Sequence, residues 1–370
     1  MDDTKEVLPQ PKRTIEIVYA GGTISSLATP EGYREGGHVV DLVSRLEHQL
    51  PGFTDRFDLG PAEVAYTGLS EYIGASDWES IKAKIEKALD SQPNAIVVTH
   101  GTDSMEQTAR YLQKEVGERL ATQNTKIILT GANEDLSHPS TDAWTNLEFA
   151  FDSANNEVSG VFVAFHGQII PASEVIKEPF NDQTMNYASI HDSALVEATH
   201  RQQSLARQLI ARLEQASNAQ TAPNSTVEYA ANIVRANHQE LLDYIDHHDT
   251  RAVLLTLYHS GTANTGAGEM SVAELVRKLR EEKGIVCFGV TENGEPVDLH
   301  SYETSVKLRE AGVVPLYDML QAVAAAKLTL LPPDMSPPQI IAAMLNNQIG
   351  EITEGEIDPN DIAQLKNLYS

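Results

Sequence analysis

"IEIVYAGGTISS", residues 15–26, runs an apolar, β-branched stretch straight into two glycines and then a hydroxyl, Thr23. The stretch has the composition of a strand, and Gly21 and Gly22 let the backbone turn sharply where it ends. Such a turn serves either to cradle a phosphate or to present a nucleophile. A dinucleotide cradle needs a third glycine and a helix opening from the loop. Here the chain continues "TISSLATPEGYREGG", a loop composition. The glycines therefore read as a turn that leaves Thr23 exposed at a strand end, which taken alone is also what an ordinary turn threonine looks like.

Working outward, "AEVAYTG" (62–68), "NAIVVTH" (94–100), "KIILTG" (126–131) and "GVFVAF" (160–165) have the same short β-branched character. Helical spacing separates them over Ser76–Asp90, with Ser76 as cap and Glu79 three residues on, and over Ser104–Ala121. This alternation predicts a parallel sheet covered by helices, whose ligands bind beyond the carboxyl ends of the strands. The loops after Ala20, His100 and Thr130 are then expected to share one rim. From about Ser193 to His248 the pattern turns helical, in "SLARQLIARLEQASNAQ" and "VEYAANIVRANHQELLDYIDHHD" separated by a turn around Pro223. A strand at 252–258, a helix at Ser271–Lys283, the strand "GIVCFGV" and further helices follow, ending in a terminal helix, Gln339–Asn347, and a polar tail. The expected fold class is α/β: a larger N-terminal parallel-sheet domain (1–198) carrying the threonine loops, a helical inter-domain connection (199–250) and a smaller C-terminal α/β domain (251–370).

Lys and Arg number 27 against 53 Asp and Glu, a formal net charge of −26 over 370 residues, which repels nucleic-acid backbones and anionic lipid. Neither is expected as a partner. The single cysteine, Cys287, lies in an apolar strand and reads as a core residue; no disulfide pairing within the chain is available to it. The N-terminal residues are charged and lack the apolar core of a secretory signal, and no run reaches the length of a membrane span, so a cytoplasmic location is expected. "DHHD" at 246–249 has ligand-type residues, but consecutive positions on a helix do not face one site, so no metal is expected.

The second informative stretch is "VVTHGTDSMEQTA", 97–109, which puts Thr102 and Asp103 between a buried strand and a helix, with His100 supporting the loop. Asp103 and Glu106 together also fit a capping box. Two hydroxyl-bearing loops on one rim, one with an adjacent carboxylate, suit covalent attack on an amide carbonyl, with backbone donors at the turns, Gly22 among them, facing the developing oxyanion. A hydroxyl needs a base. Lys177 in "PASEVIKEPF" and Tyr33 in "PEGYREGG" are the candidates, and spacing selects neither.

"AGGTI" and "HGTDSMEQTA" together resemble the two signatures of the bacterial-type L-asparaginase and glutaminase family. The resemblance continues through Tyr33, "TGLSEYIGASDW" (67–78), "LTGAN" (129–133), "STDAWTNL" (140–147), Lys177, "SGTANTG" (260–266), "AGVVPLYDM" (311–319) and "AAAKL" (324–328). The tail "AAMLNNQIGEIT" is similar to that of the intracellular, type I enzymes. The resemblance implies Thr23 as nucleophile on a closing lid, Tyr33 as its activator, and Thr102 with Lys177 as the second hydroxyl and base. It also implies that Ser70 and Asp103 hold the substrate's carboxylate and ammonium, that no cofactor is used, and that the protein is a homodimer or homotetramer. The sequence departs from the pattern at Ser104, which replaces a threonine; at Glu71, which stands where relatives carry glutamine or aspartate and whose charge favours an ammonium; in "GANEDLSHPS" (131–140); and in the helical reading of 199–248.

The function expected is hydrolysis of the side-chain amide of L-asparagine to L-aspartate and ammonia. Alternatives are a glutaminase or other small-amide amidase, a non-catalytic amino-acid-binding protein, and the ammonia-donating subunit of an amidotransferase. The last is expected to carry an extra small β domain ahead of the first motif, where a short leader precedes Thr14 here.

Overall fold

A computed structural model describes residues 12–25, 27–28, 34–35, 42–136, 138–155, 158–181, 184–216, 226–232, 237–266, 271–292, 294–353 and 359–369. Strand β1 (Arg13–Ala20) is followed by the short strands β2 (Leu27–Ala28) and β3 (Arg34–Glu35), helix α1 (Leu42–Gln49), β4 (Phe57–Tyr66), α2 (Ala75–Leu89), β5 (Ala95–His100) and α3 (Met105–Gln123). Next come β6 (Lys126–Thr130), α4 (Ala143–Asp152), β7 (Gly160–Phe165), β8 (Gln168–Pro171), β9 (Val175–Asn181) and β10 (Thr184–Ser189). The remainder comprises α5 (Ser193–Ala216), β11 (Thr226–Ala230), α6 (His238–His247), β12 (Ala252–Leu257), α7 (Val272–Lys283), β13 (Val286–Thr291), α8 (Glu303–Ala311), β14 (Val314–Pro315), α9 (Gln321–Thr329), α10 (Pro337–Met344) and α11 (Pro359–Leu368).

The fold is α/β, and the chain packs as two units. The first comprises Met1–Leu27, Gly36–Gly68 and Ser76–Val175; the second comprises Ala28–Glu35, Leu69–Ala75 and Ile176–Ser370. The larger sheet belongs to the first unit, in the order β4-β1-β5-β6-β7-β8. Its ladders are parallel except for β8, which folds back antiparallel on β7. β1 and β5 read as apolar runs rather than alternations because both faces are covered. Ile15, Ile17 and Tyr19 with Val97 and Ile128 pack under Leu46 of α1 and Leu147 and Phe151 of α4. The residues between them, among them Ile96, Val98 and Leu129, are equally buried, and α3 packs against β6 and β7.

The smaller sheet of the second unit is all parallel, β11-β12-β13-β14. Its strand period is legible in the two cores. Ala252, Leu254, Val286, Phe288 and Val290 face α5, α9 and α10, whereas Val253, Leu255, Leu257 and Cys287 face α6, α7 and α8. No helix among the described residues is long and apolar enough to cross a membrane.

Three local expectations are corrected. Residues 226–230, read as helix, form β11, because Thr226, Val227 and Tyr229 are β-branched or aromatic and find a parallel ladder on β12, Thr226 opposite Ala252 and Ala230 opposite Thr256. The helix resumes at α6, capped by Asn237, whose Oδ1 accepts the Glu240 N–H at 3.1 Å. Ser76 lies inside α2, which starts at Ala75, rather than capping it.

The tail read as a polar end contains α11, which turns Ile362, Leu365 and Tyr369 onto one face against the core of α5, α9 and α10. The Tyr369 hydroxyl donates to Gly312 O at 2.8 Å and accepts the Cys287 N–H at 3.3 Å, so the last helix is pinned to β13 and to the end of α8. Tyr369→Phe should therefore lower the unfolding free energy by about 1 kcal/mol in urea titrations. An unchanged midpoint would show that the hydroxyl does not hold the helix.

Candidate active site

β1 and β5 are neighbours with Ala20 opposite His100, and β6 adjoins β5 with Thr130 opposite Thr99. The loops that leave Ala20, His100 and Thr130 therefore start from one sheet edge, as expected. What brings the first two together is glycine. Gly21 and Gly22 have φ of +70° and +86°, which other residues rarely adopt, and a Cβ on Gly22 would overlap the backbone of Gly101. Thr23 follows Gly22 and Thr102 follows Gly101, so each threonine stands one residue from the point of contact. Gly131, after β6, closes on the same place: a Cβ there would lie 2.6 Å from His100 O and 3.4 Å from the Thr102 methyl.

The Gly22 carbonyl accepts from Ser25 N at 2.9 Å and from Ser25 Oγ at 3.0 Å, which winds Thr23–Ser25 into one 3-10 turn. Ile24 is buried beneath it, and Thr23 is half-buried rather than fully exposed. The Gly22 N–H donates to Gly68 O at 3.1 Å. That bond ties the first turn to the loop after β4.

On the second loop, α3 begins at Met105 with Ser104 at the N-cap, so Asp103 and Glu106 do not form a capping box. Glu106 instead pairs with Arg110 at 3.1 Å, and Asp103 is left ahead of the helix, half-buried beside Thr102. His100, wholly buried, donates Nδ1–H to Gly101 O at 2.7 Å, the loop support expected of it. Burial pushes its imidazole down to about 4, against the upward pull of that bond, so it is neutral at pH 7.

The third loop is clamped by a residue that sequence reasoning passed over. Asp142 Oδ1 accepts the N–H groups of Asn133 and Glu134 at 2.9 and 3.1 Å, and Oδ2 accepts Asn146 Nδ2 and His166 Nε2, each at 3.0 Å. Asn146 Nδ2 also donates to Gly131 O at 3.1 Å. Burial raises the Asp142 carboxyl, but the bonds from His166, Asn133 and Glu134 outweigh it and hold it below the ordinary carboxylate range.

In the second unit, Lys177 sits on β9 and is 1% exposed. Ser70 and Glu71 are both buried in a 3-10 turn, Ser70–Tyr72. Thr304 Oγ1 donates to Glu71 Oε1 at 3.2 Å, and the Tyr72 hydroxyl lies 3.3 Å from Thr265 Oγ1. No sequence signal marks Thr304, which is 233 positions from its partner. Tyr33 lies outside the described residues. Cys287 is buried and its thiol is pushed up to about 12 by burial, as befits a core residue. His247 and His248 each hydrogen-bond a backbone carbonyl one turn back, those of Asp243 and Tyr244, both at 2.7 Å.

A family model described as "Asparaginase, N-terminal" matches residues 14–211, more than half of the chain. The chain belongs to the asparaginase family. Its relatives include a glutamyl-tRNA(Gln) amidotransferase subunit from Thermococcus kodakarensis, 25% identical over 372 residues that cover 94% of this chain and 79% of that protein. The glutamyl-tRNA(Gln) amidotransferase subunit from Pyrococcus abyssi is also 25% identical, over 92% of this chain and 76% of its own length. Among solved structures, the thermostable L-asparaginase from Thermococcus kodakarensis aligns with a TM-score of 0.40 at 21% identity, covering 92% of this chain and 99% of that one. A probable cytoplasmic L-asparaginase from Campylobacter jejuni aligns with a TM-score of 0.43 at 18% identity, covering 90% and 99%. Within this asparaginase-family chain, the two threonine loops and the Asp142 clamp all fall inside the matched region.

The buried His100 makes the rim acid-sensitive in a defined direction. Between about pH 6.5 and 4 the unfolded imidazole takes up a proton that the folded one refuses, so stability falls as pH falls through that window. The stability gap between the native chain and His100→Gln should accordingly narrow from pH 7 to pH 4.5 in denaturant titrations. A constant gap would mean that His100 is not held neutral.

Proposed function

We propose that this chain hydrolyses the side-chain amide of L-asparagine to L-aspartate and ammonia, with Thr23 as nucleophile. The observation that carries the reading is the Gly22–Gly101 contact, which sets Thr23 and Thr102 on abutting loops in a chain of the asparaginase family. Thr23 Oγ1 attacks the amide carbon and gives up its proton to Tyr33; the tetrahedral intermediate collapses, the nitrogen takes a proton and leaves as ammonia, and an ester remains on Thr23. Water, activated through Thr102 and Lys177, attacks that ester and frees aspartate and the Thr23 hydroxyl. With the Gly22 N–H engaged, other backbone N–H groups of the two turns serve the oxyanion. Ser70 takes the substrate carboxylate, and Asp103 and Glu71 its ammonium. No cofactor enters this scheme. A cytoplasmic location and a homodimer or homotetramer are assigned on the family resemblance.

A second reading has its own support, since relatives 25% identical over more than nine-tenths of the chain are amidotransferase subunits. In that reading the same threonine chemistry frees ammonia for a partner protein, and the partner carries the RNA, because a net charge of −26 repels it from this chain. Glutamine in place of asparagine is a further variant of substrate, not of mechanism.

Ammonia release from free L-asparagine and L-glutamine by the native chain, Thr23→Ala and Thr102→Val tests the proposal. Each substitution should lower turnover by at least about a thousandfold. Unchanged turnover in both variants would end the nucleophile assignment. Turnover by the isolated chain favours the free-standing enzyme, whereas release that awaits an added partner favours the amidotransferase reading.

A further inference from the structure

Glu71 is 6% exposed, yet the residue that fixes it lies in another element. Thr304, the second residue of α8, is fully buried and donates its hydroxyl to Glu71 Oε1 at 3.2 Å. α8 holds that donor still. At its start Ser305 Oγ accepts the Tyr302 N–H at 3.2 Å and donates to Tyr302 O at 3.0 Å, and along its length Leu308 and Ala311 are locked in the core it shares with α7. A second tie, the Tyr72 hydroxyl to Thr265 Oγ1 at 3.3 Å, keeps the Ser70–Tyr72 turn from rotating away. On α8, Lys307 pairs with Glu303 at 2.6 Å and also hydrogen-bonds Tyr72 of the turn.

A buried carboxylate favours its neutral form unless donors hold the charge, and a hydroxyl donor also selects one rotamer. Fixed in one rotamer, a carboxylate presents its oxygens to an ammonium and discriminates against a ligand that lacks one. We propose that Thr304 is a positioning residue for recognition of the substrate's α-ammonium: by donating to Glu71 from the rigid start of α8, it sets the preference for amides that carry a free amino group. The proposal rests on Glu71 facing the substrate, as in the function proposed above.

The test compares L-asparagine with its desamino analogue, succinamate, in the native chain, Thr304→Val and Thr304→Ser. Valine keeps the shape and removes the donor. It should raise KM for L-asparagine about tenfold with kcat within about twofold, leave KM for succinamate unchanged, and be rescued by serine. A purely structural role would instead move both substrates or kcat, and that result, or no change with either substrate, overturns the proposal. Thr304→Ala takes the place of valine if the latter does not fold. Calorimetric titration with L-aspartate and succinate separates this inference from the catalytic one. If the native chain cleaves neither amide, the amidase reading has failed, while a selective loss of L-aspartate affinity in the valine variant still upholds Thr304 and an equal loss of both ligands rejects it.

Discussion

The backbone-to-backbone contact between Gly22 and Gly101 is the constraint on which the rest of the site depends. Adjacent strands lie about 4.8 Å apart, so loops that leave them side by side diverge as soon as side chains intervene. With no Cβ on either residue the two turns close on each other, and the third loop follows through Gly131. The sheet order supplies the other half of the arrangement. β1 lies between β4 and β5, so the first turn is bonded to Gly68 on one side and abuts Gly101 on the other. Thr23 is thus held through its neighbours, by the Gly22 contact before it and by the bonds of Ser25 to the Gly22 carbonyl after it.

The groups that support the rim divide by charge. His100 is buried and neutral, its pKa driven down by desolvation, and it holds the Gly101 carbonyl. Asp142 is less buried and ionised, because four donors converge on its two oxygens. A charge at the position of His100 would have no water and no counterion. The carboxylate of Asp142 also meets a desolvation penalty, but the bonds from His166 and from the backbone N–H groups of the third loop outweigh it. The Thr102 loop is therefore supported by an uncharged ring, while the clamp's charge lies one loop away.

Much of this was legible in the sequence, for physical reasons. β1, β5 and β6 are covered on both faces, so they read as unbroken β-branched runs, and the glycine-plus-hydroxyl turns that follow them are local patterns. Where tertiary pairing decided the outcome, the sequence misled. Val227 and Ala230 suited a helical period, but β12 offered their segment a ladder. α11 looked polar because its apolar face is three residues wide. The box of Asp103 and Glu106 failed by one position, since Ser104 starts the helix. Asp142 with His166, and Glu71 with Thr304, could not be seen at all, because a hydrogen bond between distant elements leaves no periodicity behind.

The threonine loops and the Ser70–Tyr72 turn are held by different means. The threonine loops are fixed by glycine contacts, where any added side chain collides with backbone, so they tolerate almost no substitution. The Ser70–Tyr72 turn is tied by side-chain hydroxyls, Thr304 to the Glu71 carboxylate and Thr265 to the Tyr72 hydroxyl. Glutamine at position 71 would offer the Thr304 hydroxyl an acceptor of the same reach without the charge, whereas aspartate would keep the charge and fall one methylene short. The charge at position 71 can therefore change without touching the glycine contacts that bring Gly22 against Gly101.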